Sequence, residues 1–166
     1  MLLDDKTLFL FALTGLGATV LMDLWGLFLK QTFRIQSLDY ALVGRWLIHM
    51  TDGHFTHPHI ARASPRQGER LTGWLFHFAS GIAFGFLLLL FRGSGWMEQP
   101  DLLSALLVGL ATVVFPFFIM QPAFGFGIAA CATPSPMKAR IKSLTTHSIF
   151  GLGLYITALG INMILQ

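Results

Sequence analysis

A single cysteine, Cys131, in 166 residues leaves no internal disulfide and no cysteine-based zinc cluster. Charge is equally scarce. Only 11% of the residues are Asp, Glu, Lys or Arg, against roughly a quarter in soluble domains, while 54% are hydrophobic and 13% aromatic. That balance excludes an ordinary soluble domain. No basic face interleaved with aromatic residues occurs outside two loops, which argues against a nucleic-acid partner despite the net charge of +3. Positive charge is scarce at the start as well: Asp4 and Asp5 stand where a secretory signal carries Lys or Arg, and the apolar run after them is too long for a signal core, so it is expected to stay as the first membrane helix. What remains is one integral membrane domain over residues 1–166, with the lipid bilayer as its partner.

Four apolar stretches read as membrane helices, at about 8–29, 71–91, 102–120 and 141–165. The second is the plainest: residues 71–91 are uncharged and, as a helix, about 32 Å long, the thickness of a bilayer's hydrocarbon core. His77 interrupts it, and Gly73, Gly81 and Gly85 share its ridge at multiples of four residues. In the first helix, which Lys30 should end, Asp23 shares a ridge with Gly15 and Thr19 and so faces other helices rather than lipid. Pro116 should kink the third, and Gln121-Pro122 should end it. The apolar loop after it is expected to dip in part toward the membrane. Ser64-Pro65-Arg66-Gln67 and Ser135-Pro136 each pair a cap with a proline, the signature of a helix start, for the second and fourth helices.

Between the first two membrane helices lies a long polar loop. Ser37 is positioned to cap a short helix whose apolar side is Leu38, Leu42, Trp46 and Met50, with Arg45 and His49 on another side. A dozen residues cannot span a bilayer, so this reads as an interfacial helix. Of the 11 Lys and Arg residues, nine lie in this loop (Lys30, Arg34, Arg45, Arg62, Arg66, Arg70) and in the fourth helix's start (Lys138, Arg140, Lys142). The positive-inside rule makes that side cytoplasmic, placing both termini in the periplasm of a bacterial inner membrane.

The halves of the chain resemble one another. Ser64 and Ser135, Arg70 and Arg140, His77 and His147, and Gly81 and Gly151 recur in the same order, which predicts two tandem two-helix repeats running in the same direction.

Counted from the helix ends, Asp23, His77 and His147 fall at similar depth in the cytoplasmic half, with Gln121 near the same level. Ionisable groups in lipid are costly and commonly face a cavity, so these four form the candidate substrate or proton site, or else a set of hydrogen bonds that fixes helix packing. Glu69, Arg70 and Arg45 would stand at its cytoplasmic mouth, with Glu69-Arg70 as an ion pair. His49, His54, His57 and His59 match no specific metal-ligand spacing; His54, His57 and His59 are weak metal candidates, and a solvated loop is the preferred reading.

Met22-Asp23-Leu24-Trp25, Asp39-Tyr40-Ala41-Leu42-Val43-Gly44-Arg45-Trp46, Gly68-Glu69-Arg70, Gly73-Trp74-x-x-His77, Met120-Gln121-Pro122 and Thr146-His147-x-x-Phe150-Gly151-Leu152-Gly153 together resemble a family of small bacterial integral membrane proteins classed as a domain of unknown function, number two-nine-three-eight. The resemblance covers nearly the whole chain and implies a bacterial inner-membrane location. It brings no catalytic residue with it. Three functions then compete. The first is a small permease-like or proton-coupled transporter, a homo-oligomer because four helices enclose little volume. The second is a redox protein or membrane enzyme with His77 and His147 as the two axial ligands of a haem. The third is an accessory subunit without chemistry.

Overall fold

The computed structural model describes residues 4–165, and among them every regular element is helical. Five helices carry the chain: α1 (Asp5–Phe33), α2 (Tyr40–Thr51), α3 (Glu69–Arg92), α4 (Leu102–Ala123) and α5 (Pro136–Leu165). Four of them, all but α2, are long and apolar enough to cross a membrane. Only 28–39% of their most apolar windows is buried inside the protein, and Leu90, Met163 and Ile164 are 78%, 80% and 84% exposed. A soluble protein does not leave so much contiguous apolar surface in water, so this is a multi-pass membrane protein whose helices contact lipid.

The helix ends depart from the sequence expectations, each for a local reason. Asp4 caps α1 by accepting from the Thr7 N–H at 3.0 Å. Lys30 does not end that helix, because nothing in Gln31-Thr32-Phe33 breaks it. It stops where Arg34 turns left-handed at φ 58° and its N–H bonds the Leu29 carbonyl. Asp39 rather than Ser37 caps α2, accepting from the Ala41 N–H at 3.0 Å, which leaves Leu38 outside the helix. Ser64-Pro65 does not start α3. Gly68, at φ 79°, turns the chain into a helix beginning at Glu69, whose own carboxylate accepts the Arg66 N–H at 2.9 Å. Pro136, by contrast, does open α5.

Inside α4 the regular α-helix covers Leu102–Ala111, and a π-helical segment follows at Pro116–Met120. Pro116 has no N–H to donate backwards, so the ladder shifts register here, and the Gln121 N–H closes the wider ring on the Pro116 carbonyl. The helix ends at Ala123, one residue past the Gln121-Pro122 pair expected to end it.

The chain divides into two compact units. The first comprises the segment up to Ser37, Phe78–Thr112, and the segment from Thr145. Its core includes Phe11, Ala18, Leu88, Ala105, Phe150 and Leu154. The small residues singled out in the sequence are where its helices approach most closely. A Cβ on Gly15 would strike the Gly81 carbonyl, one on Gly85 the Phe11 carbonyl, and one on Gly81 the Thr19 hydroxyl.

The second unit comprises Leu38–His77 and Val113–Leu144. Its core is Val43, Trp46, Ile60, Ala123 and Phe124. The apolar loop after α4 packs on the polar loop before α3: the His57 N–H donates to the Ala123 carbonyl at 2.8 Å and the Ile60 N–H to the Phe124 carbonyl at 3.1 Å. A Cβ on Gly125 would strike the Pro58 carbonyl, and Gly125 sits at φ 82°, so both space and backbone require glycine there. The buried side of α2 also differs from expectation. It is wider: Trp46 is buried as expected and Leu38, Leu42 and Met50 are partly buried against the same core, but Val43, Gly44, Arg45 and His49 are buried too, because Gly44 lets the helix lie against the backbone of Glu69 and Gly73.

Candidate functional site

In the first unit α4 and α5 approach at paired glycines. A Cβ on Gly109 would lie 2.6 Å from both the Gly151 Cα and the His147 carbonyl oxygen. That approach brings His147, one turn before Gly151, against Thr112, which is 3% exposed. His147 Nδ1 lies 2.7 Å from Thr112 Oγ1, and the Thr112 hydroxyl donates to the Gly109 carbonyl at 2.5 Å. Asp23 is half-buried on α1 in the same unit and is not an isolated charge.

His77 and Gln121 belong to the second unit. The His77 ring stacks on Tyr40 at 4.1 Å and 24°, with Trp74 edge-on at 5.7 Å. Gly73 is what lets Tyr40 come so close, since a Cβ there would strike the Tyr40 carbonyl. Gln121, directly after the π segment, is 7% exposed. Its Nε2 donates to Ser143 Oγ across a long 3.4 Å, and its Oε1 is buried with no hydrogen-bond partner.

The expected mouth residues separate. Glu69 pairs with Arg45 rather than with its neighbour Arg70, which is exposed. The Arg45 guanidinium, in a side chain 10% exposed, meets both Glu69 oxygens at 2.8 Å and also donates to the carbonyls of Ile60, Ala61 and Ala63 at 3.3, 3.4 and 3.1 Å. The Glu69 carboxylate holds the guanidinium above its ordinary pKa by hydrogen bonding, against the opposing effect of burial. With Nε, both Nη atoms and both carboxylate oxygens engaged in bonds to the fold, this pair is suited to hold the loop.

The histidines of the loop also part company. His49 and His57 rings lie 5.0 Å apart and His49 and His54 rings 6.3 Å apart, whereas His59 packs on Phe126 at 5.7 Å. Among the described residues no group of three His, Cys, Asp or Glu side chains is arranged to hold a metal ion. Both ring nitrogens of His57 are buried without partners, and burial, followed by the charges of His49 and His54, pushes its pKa down.

The profile of the family described as protein of unknown function, DUF2938, matches residues 12–161. The chain is a DUF2938 protein. No curated protein and no solved structure matches it. In this DUF2938 chain Thr112, Tyr40 and Ser143 are the site neighbours that sequence reasoning missed. Tyr40 stood within a quoted motif, but its partner His77 is 37 positions away. Thr112 had a signal as well, three residues after Gly109 on α4, the residue that faces Gly151.

Proposed function

We propose that this DUF2938 protein is a small permease-like, proton-coupled transporter of the bacterial inner membrane. Asp23, His77, His147 and Gln121 are the groups that bind protons or substrate. The observation that carries this reading is Gln121: a buried amide oxygen without a partner, on a membrane-crossing helix, beside a π-helical segment. Unpaired acceptors in an apolar medium are costly, and π segments inside helices are frequent at functional sites. Such an oxygen is ready for a donor group that arrives from outside the chain. The charge split supports periplasmic termini, and the two-helix repeats would give the halves a common direction. α2 would lie at the cytoplasmic interface. An apolar groove of about 280 Å³ between α1 and α5 is small for a ligand site, and in this proposal the path would run between identical subunits because four helices enclose little volume.

The test uses the purified protein in liposomes loaded with a pH-sensitive dye. An imposed pH gradient should collapse faster than in empty liposomes, and Asp23→Asn, His147→Asn and Gln121→Leu should each slow it while the protein still inserts. Folded protein with no flux above empty liposomes would remove the transport reading. A haem-binding protein is the second reading, favoured by the His147 contact through Nδ1, which leaves Nε2 available as an axial ligand. A red preparation with a Soret band would support it, and a colourless one would refute it.

A further inference from the structure

The Thr112 hydroxyl has one hydrogen to give, yet its oxygen lies within hydrogen-bond distance of two acceptor-capable atoms: the Gly109 carbonyl oxygen at 2.5 Å and His147 Nδ1 at 2.7 Å. Two oxygens at 2.5 Å need a hydrogen between them, and a carbonyl has none. The hydroxyl hydrogen is therefore committed to Gly109. The contact with His147 can then form only if the hydrogen sits on nitrogen, so that Nδ1 donates and the hydroxyl oxygen accepts. In a neutral imidazole that leaves Nε2 without a hydrogen and with its lone pair free.

We propose that His147 is held as the Nδ1–H tautomer, that its Nε2 is the single atom of this ring that takes up a proton or binds a ligand, and that Thr112 is its positioning residue. The hydroxyl is oriented by contacts within its own helix that do not involve the histidine. It is bonded three residues back along its own helix, its backbone N–H is tied to Val108 and Leu110, and it is 3% exposed. The Gly109–Gly151 approach then sets the ring against it at a fixed distance. A neutral histidine in water prefers its hydrogen on Nε2, so a site that reverses this preference presents one chosen nitrogen. The assignment of Nε2 as the proton-exchanging atom rests on the transport reading above. The tautomer and the role of Thr112 do not.

The experiment is nitrogen NMR on the full chain in detergent micelles with ¹⁵N-labelled histidine, at about pH 8, where an ordinary histidine is neutral. The His147 signals are identified by their loss in His147→Asn. Wild-type protein should show the hydrogen on Nδ1 and a bare Nε2. Thr112→Ser should keep that pattern, and Thr112→Val, which matches the shape without the hydroxyl, should return the hydrogen to Nε2. A bare Nδ1 in wild-type protein overturns the proposal, as does an unchanged pattern in Thr112→Val. Should the valine variant fail to fold, the wild-type pattern alone decides. In the liposome assay the pH profile of flux should shift in Thr112→Val and not in Thr112→Ser. Absence of flux in every protein, with the Nδ1–H pattern intact, overturns the transport reading and the proton-exchange role of Nε2 while the tautomer assignment stands.

Discussion

Removing Arg45 by an Arg45→Met substitution should destabilise the protein more than removing any exposed charge. The methionine keeps the apolar stem of the arginine but leaves the Glu69 carboxylate, 16% exposed, with the Arg66 N–H as its remaining hydrogen-bond donor among the described residues, and takes a donor from the carbonyls of Ile60, Ala61 and Ala63. Breaking a buried pair from one side costs about 3–5 kcal/mol, and the residual exposure of both partners places this one near the lower figure, about 3 kcal/mol. Glu69→Leu should cost a similar amount for the converse reason, because it strands a guanidinium. The double variant leaves no stranded charge and should lose less than the sum of the two, with a coupling energy of at least about 2 kcal/mol. Arg66–Asp52 is the internal control: its side chains are 37% and 46% exposed, so Asp52→Asn should cost less than about 1 kcal/mol. Reversible unfolding in mixed micelles measures all four variants, and proteolysis within residues 52–68 reports whether the loop opens first. An Arg45→Met cost no greater than that of Asp52→Asn, or a double variant that costs the full sum, would refute the reasoning.

Two further outcomes are expected, one from the geometry and one from the charge distribution. Burial pushes the His57 pKa below the ordinary 6.5, so between that lowered value and 6.5 the unfolded chain binds more protons than the folded one. The second unit should therefore hold its stability above about pH 6.5 and lose it as pH falls, read as faster proteolysis of the loop, and His57→Phe should flatten the dependence. Topology is the other: reporters fused after Gln166 or within residues 93–99 should report the periplasm, and reporters near Arg62 or Met137 the cytoplasm, on the strength of the charge split. A cytoplasmic C-terminus would contradict both the orientation and the even number of crossings.

The four membrane helices were legible in the sequence because hydropathy is a local property, summed over some twenty residues that all lie in one element. The packing role of the glycines was legible for a related reason. A ridge at four-residue spacing is a property of one helix, and an apolar helix with a smooth side packs there. Helix ends were harder, since several residues near each end can cap and the winner depends on what surrounds it. Asp39 displaced Ser37, and Gly68 with Glu69 displaced Ser64-Pro65, because Glu69 is held by Arg45 from 24 positions away. Partner choice was beyond the sequence altogether. Arg45 and Arg70 are equivalent as charges, and only the Gly44–Gly73 approach of α2 and α3 decides which of them reaches Glu69. The same holds for the candidate site. Composition identified Asp23, His77, His147 and Gln121 as costly groups in an apolar chain, but the hydroxyl that orients one imidazole and the ring that covers the other come from elements distant along the chain. Hydrogen bonds and ring stacking act over about 3–6 Å, so which groups they join is settled where backbones come into contact, and that is a property of tertiary structure alone.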